Sequence, residues 1–267
     1  MRRCVFTIAA NTAREVSRET IFYLIGCGGI LLIFLSFSFT LFAFGEETRM
    51  IKEMGISTIT ICCLCLASLS AANTISKEME KGTIMTLLSK PVDKGSVLFG
   101  KFLGILVAVS SVFLTMGLFL TVSLCMRESF DYHTGLLTAF ERVGYSTVFQ
   151  LIFAFLQVAI MCAIATAGSV YLPMISNLSC CMVIYAIGNV ISFFQDVLQQ
   201  NGGGTRWYLT FLGIFFPNLE EFSAIGVENK LESLCLYHMV LLLIYAALYI
   251  MFVIILAFLL FDRKECR

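Results

Sequence analysis

Five stretches of this chain, residues 20–45, 54–76, 102–126, 143–195 and 233–261, contain no Asp, Glu, Lys or Arg. No other feature narrows the possible folds as much. A helix needs about 20 apolar residues to cross the hydrocarbon core of a bilayer. Four of the stretches hold one span each, and 143–195 is long enough for two. Pro173, followed by Ser176 and Asn177, marks the turn between them. The predicted fold is an all-α integral membrane protein, a single transmembrane domain over 1–267. Its six transmembrane helices fall near 21–44, 55–75, 97–125, 145–170, 177–196 and 236–261.

Composition excludes the competing classes. Hydrophobic residues make up 59% and charged residues 13%, and mean hydropathy is +0.91. A soluble domain carries about 25% charge, so this chain lacks the polar surface to cover a water-soluble globule. Disordered chains are poor in apolar groups, which excludes that class as well. The net charge is zero, so no basic excess points to a nucleic-acid partner. Membrane lipid is the expected surrounding.

An even number of spans puts both termini on one side, and the positive-inside rule selects the cytoplasm. Twelve of the 18 Lys and Arg then lie inside and six outside, whereas seven acids lie inside and 11 outside. Asn11, Arg14, Glu15, Arg18 and Glu19 make the N-terminus too polar for the apolar region of a signal peptide. Phe6, Ile8, Ala9, Ala13 and Val16 form a partial helical stripe, so residues 1–20 read as an amphipathic helix on the inner membrane surface. On the outside, segment 197–235 contains Asn201-Gly202-Gly203-Gly204. The apolar run 207–219 follows, too short to cross and expected to dip into the interface or cap the bundle.

The cytoplasmic loop 76–96 between spans two and three is short and dense in charge. Gly82 interrupts a helix at a cost of about 1 kcal/mol. Thr83 suits an N-cap, and Ile84, Leu87 and Leu88 then share one face until Pro91 ends the turn. Such a short helix fits a partner's groove; by pattern alone it is equally a surface loop joining two spans.

This stretch resembles the signature of ATP-binding-cassette exporter permeases of the ABC-2 type. The residues that carry the likeness are Glu78, Glu80, Lys81, Gly82, Thr83, Leu87, Leu88, Ser89 and Pro91, followed by Gly100 and Lys101 at the start of the third span. One departure is Met85, where the family often has glutamate. Pro217, Asn218 and Phe222 are similar to the family's Pro-Asn motif before the last span. The resemblance implies a permease subunit without ATPase activity and without a bound cofactor. ATP and Mg would be bound by a separate nucleotide-binding subunit. It also implies pairing with a second permease subunit, as homodimer or heterodimer, in the inner (cell) membrane of a bacterium. Glu78, Glu80, Lys81, Gly82, Thr83, Leu87, Leu88 and Pro91 would couple to the ATPase through a short cytoplasmic helix, and export would be the direction of transport.

Other patterns compete less well. Gly95–Phe102 nearly matches a phosphate-binding loop but lacks the final Ser or Thr that would bind magnesium. Gly100, Gly104 and Ala108 instead recur every four residues, a small-residue stripe for close helix packing. Most of the 11 cysteines lie in apolar runs and read as small hydrophobes. Cys62, Cys63 and Cys65 diverge around one helix, so no metal is expected there. His133 and His238 have no evident nucleophile partner, and Ser169 lacks the rest of a protease motif. No charge lies deep in a predicted span, which argues against a proton relay. The polar residues within spans are Asn73, Gln150, Gln157, Asn189 and Gln195. Gln150 and Gln157 share a helix face, and with Asn189 they either line a substrate path or bond helices together. The uncharged interior favours an amphiphilic or apolar cargo. Two other functions stay open on the residues alone. One is a lipid-modifying membrane enzyme using the outer acid pairs Glu46–Glu47 and Glu220–Glu221. The other is a non-transporting membrane anchor for a cytoplasmic partner.

Overall fold

The computed structural model describes residues 2–36, 47–76, 94–132, 138, 140–200, 216–224 and 232–265. These residues are helical apart from short connections, and no strand occurs among them. The helices are α1 (Arg2–Arg18), α2 (Thr20–Ser36), α3 (Glu47–Ala71), α4 (Lys94–Tyr132), α5 (Tyr145–Gly168), α6 (Met174–Gln200), α7 (Glu220–Ala224) and α8 (Glu232–Glu265). A π-helical turn over Ala72–Ser76 continues α3, and a second over Phe140–Gly144 leads into α5.

Lipid supplies no hydrogen-bond partners, so a spanning segment must satisfy its backbone internally, which a helix does. The span hydroxyls follow the same rule. Thr58, Thr121 and Thr166 donate to carbonyls three or four residues earlier, at 2.8, 3.0 and 2.8 Å.

Among the described residues, four helices are long and apolar enough to cross a membrane, over Thr48–Ile75, Gly95–Ser129, Phe140–Gly168 and Met239–Phe261. The first two helices, α1 and α2, meet at 65° and pass the same test only as a bent pair. The apolar part of α6, Met174–Val190, is shorter. Four or five spans are therefore described, against the six expected. The first predicted span, 21–44, extends beyond the described residues after Ser36. The helices α4 and α8 outrun the predicted spans 97–125 and 236–261, because charged residues end an apolar run without breaking a helix.

The central helix is α3, which packs against α2, α4, α5 and α6. Ile59, Cys63, Leu64, Leu66 and Ala67 of α3 are buried against a core that includes Ile105, Val109, Met116 and Leu120 of α4. Phe113 of α4 and Phe155 of α5 meet edge to face at 5.4 Å. The last helix, α8, is peripheral: only 17% of its apolar window is buried. Its exposed residues, such as Leu248, Phe252 and Leu259, are as apolar as its buried Ala246, Val253 and Ala257. A helix apolar all round belongs in lipid. The helix α1 turns Ala9, Thr12 and Val16 inward and leaves Phe6 exposed. Its buried face thus includes a threonine absent from the predicted stripe and omits the stripe's phenylalanine.

Candidate functional site

The predicted coupling residues Glu78, Glu80, Lys81, Gly82, Thr83, Leu87, Leu88 and Pro91 lie outside the described residues, as does His133. The two roots of that loop are described, and they form a built junction. At the end of α3 the chain widens into the π turn, whose Thr74 hydroxyl donates to Ser70 O at 2.7 Å. Helix ends leave carbonyls without intrahelical donors, and these carry partial negative charge. The Lys101 ammonium on α4 donates to one of them, Thr74 O, at 2.8 Å. Lys101 is buried there, although it is a charged residue within the predicted third span.

The neighbouring residue on the same turn makes a second tie. Asn73 Nδ2 donates to Glu19 Oε2 at 3.1 Å. Glu19 sits at the bend between α1 and α2, which is closed by Glu19 N–H to Val16 O and Phe22 N–H to Glu19 O, both 3.1 Å. Asn73 is itself buried, and its Oδ1 has no hydrogen-bond partner among the described residues.

The small-residue stripe makes a third tie and has a defined partner. A Cβ on Gly100 would stand 3.0 Å from Ile8 Cγ2 and 3.2 Å from Val5 O. On Gly104 it would stand 2.6 Å from Ala9 O. The stripe therefore seats α1 of the same chain, and Ala108 continues it as a buried residue. The Gly-Lys pair now has a physical account. Gly100 admits the α1 backbone, and Lys101 reaches the π turn.

Two further contacts close this end of the bundle. Tyr171 Oη, in the turn between α5 and α6, donates to Leu260 O of α8 at 3.1 Å. Asn177 Nδ2 donates to Ser68 O of α3 at 3.1 Å and to Ala165 O of α5 at 3.2 Å. Asn177 is fully buried within α6. By sequence Asn177 stands at the border between the turn and the span predicted over 177–196, because Pro-x-x-Ser-Asn is turn chemistry; the helix in fact begins at Met174. The structure instead lets Pro173 O accept the first helical bond of α6, from Asn177 N–H at 2.9 Å.

At mid-span, Gln157 Nε2 donates to Asn189 Oδ1 at 3.2 Å, and Asn189 Nδ2 donates to Tyr185 O at 2.9 Å. This is the geometry of a bond between helices. Gln150 does not join it, and its Oε1 is buried without a partner among the described residues. A cleft of about 410 Å³ opens between α2 and α3, walled by Leu32, Leu35, Met54 and Ile61 with Glu53 and Ser57 at its polar side.

The other predicted motif is a cap. Leu219 N–H donates to Gly188 O at 3.1 Å, and Asn218 N–H donates to Tyr245 Oη at 3.2 Å. Asn218 Nδ2 reaches Glu221 Oε1 at 2.9 Å in the first turn of α7. Phe222 is buried with Phe153, Leu242 and Ala246 and lies 6.3 Å from the Tyr245 ring. Pro217, Asn218 and Phe222 thereby join α5, α6 and α8 at one end. Gly188 and Tyr245, which receive the cap, were not found from sequence. Their partners lie about 30 residues away, and neither stands in a recognisable motif.

Among the described residues, no group of three or more His, Cys, Asp or Glu could hold a metal ion. Cys62, Cys63 and Cys65 are free thiols. Ser169 is buried and donates to Thr166 O at 2.8 Å within its own turn.

The arrangement is that of a polytopic helical membrane protein with one cluster of polar contacts where two spans leave for a charged loop. Residues 35–266 match the family described as ABC-2 family transporter protein. The match covers most of the chain, which belongs to that family and is a transmembrane permease of an ATP-binding-cassette transporter. No curated protein matches the chain.

Proposed function

We propose that the chain is the permease subunit of an ATP-driven exporter, with six spans and both termini in the cytoplasm of a bacterial cell. It pairs with a second permease subunit, identical or different. A separate nucleotide-binding subunit binds ATP and Mg and performs the hydrolysis. The loop 76–96 passes the closure of that subunit to the spans through Leu87, Leu88 and the charged residues around them. The observation that carries this reading is the family match over 35–266. The junction at Thr74 and Lys101 supports it, because a loop that delivers force needs rigid roots. Reciprocal coupling between nucleotide state and substrate affinity is the physical content of such a pump. The cleft between α2 and α3 has apolar walls and a polar edge, which fits an amphiphilic cargo.

The test is purification of the tagged protein in mild detergent, with identification of what accompanies it. A stoichiometric ATP-binding-cassette subunit is expected. In the reconstituted complex, replacing Leu87 and Leu88 with Asp should leave the protein in the membrane and separate ATP hydrolysis from transport. Normal transport by that variant would sink the docking role.

A further inference from the structure

The matched family region begins at residue 35, so α1 and Glu19 lie outside it. Yet three separate contacts bind α1 and the α1–α2 bend to the roots of the charged loop. Gly100 and Gly104 seat the α1 backbone against the start of α4. Lys101, on the same stretch of α4, holds Thr74 O at the end of α3. Asn73, adjacent to Thr74, holds Glu19 at the bend. The contacts form a closed circuit: α1 to α4, α4 to the π turn, the π turn to the bend, and the bend back to α1.

The end of α3 is built to be adjustable. A π turn replaces the tight helical ladder with wider bonds, and such turns often mark functional positions. Left alone, Ala72–Ser76 would absorb a displacement arriving from the loop. A charged donor on a backbone carbonyl is stronger than a neutral bond, and it is stronger again at a buried site. The Lys101 bond therefore ties the π turn at the end of α3 to α4.

We propose that Lys101 and Asn73 are positioning residues that fix the loop roots to the α1–α2 bend, so that movement delivered at the loop is carried into α1. This rests on the coupling role proposed above. It adds that α1 moves with the nucleotide state, and that the π turn decouples the two when its pins are removed.

The experiment is hydrogen–deuterium exchange on the whole complex, without nucleotide and with ATP plus vanadate. The wild type should show a nucleotide-dependent change in exchange at residues 77–93 and at residues 2–18. In Lys101→Met the change at 77–93 should persist and the change at 2–18 should be lost. Lys101→Arg, which keeps a charged donor, should restore it. A purely structural role would raise exchange in α1 equally in both states and leave the difference intact. Asn73→Ala removes the second pin and should also diminish the difference at 2–18. It carries the test alone if Lys101→Met does not accumulate. An unchanged nucleotide-dependent difference at 2–18 in these variants overturns the inference, as does a wild-type α1 that never responds. Absence of an ATPase subunit from the purified wild type is read before any exchange is measured, and it overturns the coupling role and this inference together.

Discussion

The carbonyl oxygen of Pro217 lies 2.7 Å from where a Cβ on Gly188 would be. The contact is with backbone, so no side-chain rotation can relieve it. Gly188→Ala should push the Pro217–Phe222 cap off α6 and weaken the Leu219 N–H bond to Gly188 O. Overpacking of this kind costs about 1–3 kcal/mol. A thermal melt of the purified protein checks it, and an unaltered midpoint would mean that the cap is not seated on α6.

Asn177 holds carbonyls on two other helices at once. Interhelical hydrogen bonds in membranes are worth about 0.6 kcal/mol each. Asn177→Leu should therefore cost about 1 kcal/mol from the lost bonds. Crowding of Gly168, whose Cα region already abuts Asn177, adds to that loss. Unfolding in mixed micelles measures it. Asn177→Asp should be worse than Asn177→Leu, because it buries a charge that accepts but cannot donate.

Gly104 should tolerate no larger residue. A Cβ there would stand 2.6 Å from both Ala9 O and Thr12 Cβ, so Gly104→Leu should lift α1 from α4. Limited proteolysis is the readout: Arg14 and Arg18 become cleavable by trypsin in the variant. Equal resistance in both proteins would contradict the seat described for α1.

Gln157 and Asn189 should behave as a bonded pair. Replacing each with Leu, singly and together, should give a coupling energy of about 0.6 kcal/mol in a stability cycle. Strictly additive losses would show that the 3.2 Å contact contributes nothing to stability.

The four spans found among the described residues were legible because lipid imposes one rule on every residue of a crossing. Residues 145–170 were predicted for a helix that runs Tyr145–Gly168. Helix ends were less legible: α8 runs Glu232–Glu265, and charged residues at its ends do not break a helix. The glycine stripe announced close packing, but spacing carries no information about the partner, which proved to be α1. The buried role of Asn177 was not legible, because local turn chemistry and a long-range contact use the same residue. The Glu19–Asn73 and Thr74–Lys101 contacts join residues 54 and 27 positions apart. Such pairs follow from the fold, and no local pattern encodes them.

The seat of α1 also orders the protein's biogenesis. Helix α1 docks on Gly100 and Gly104, which are translated long after it. At about 5–20 residues per second, seconds pass before that surface exists. During that interval the face of α1 that Gly100 and Gly104 seat has no partner on α4. The junction can form only after the third span has inserted, so a single assembly event both completes the N-terminal region and closes the roots of the charged loop.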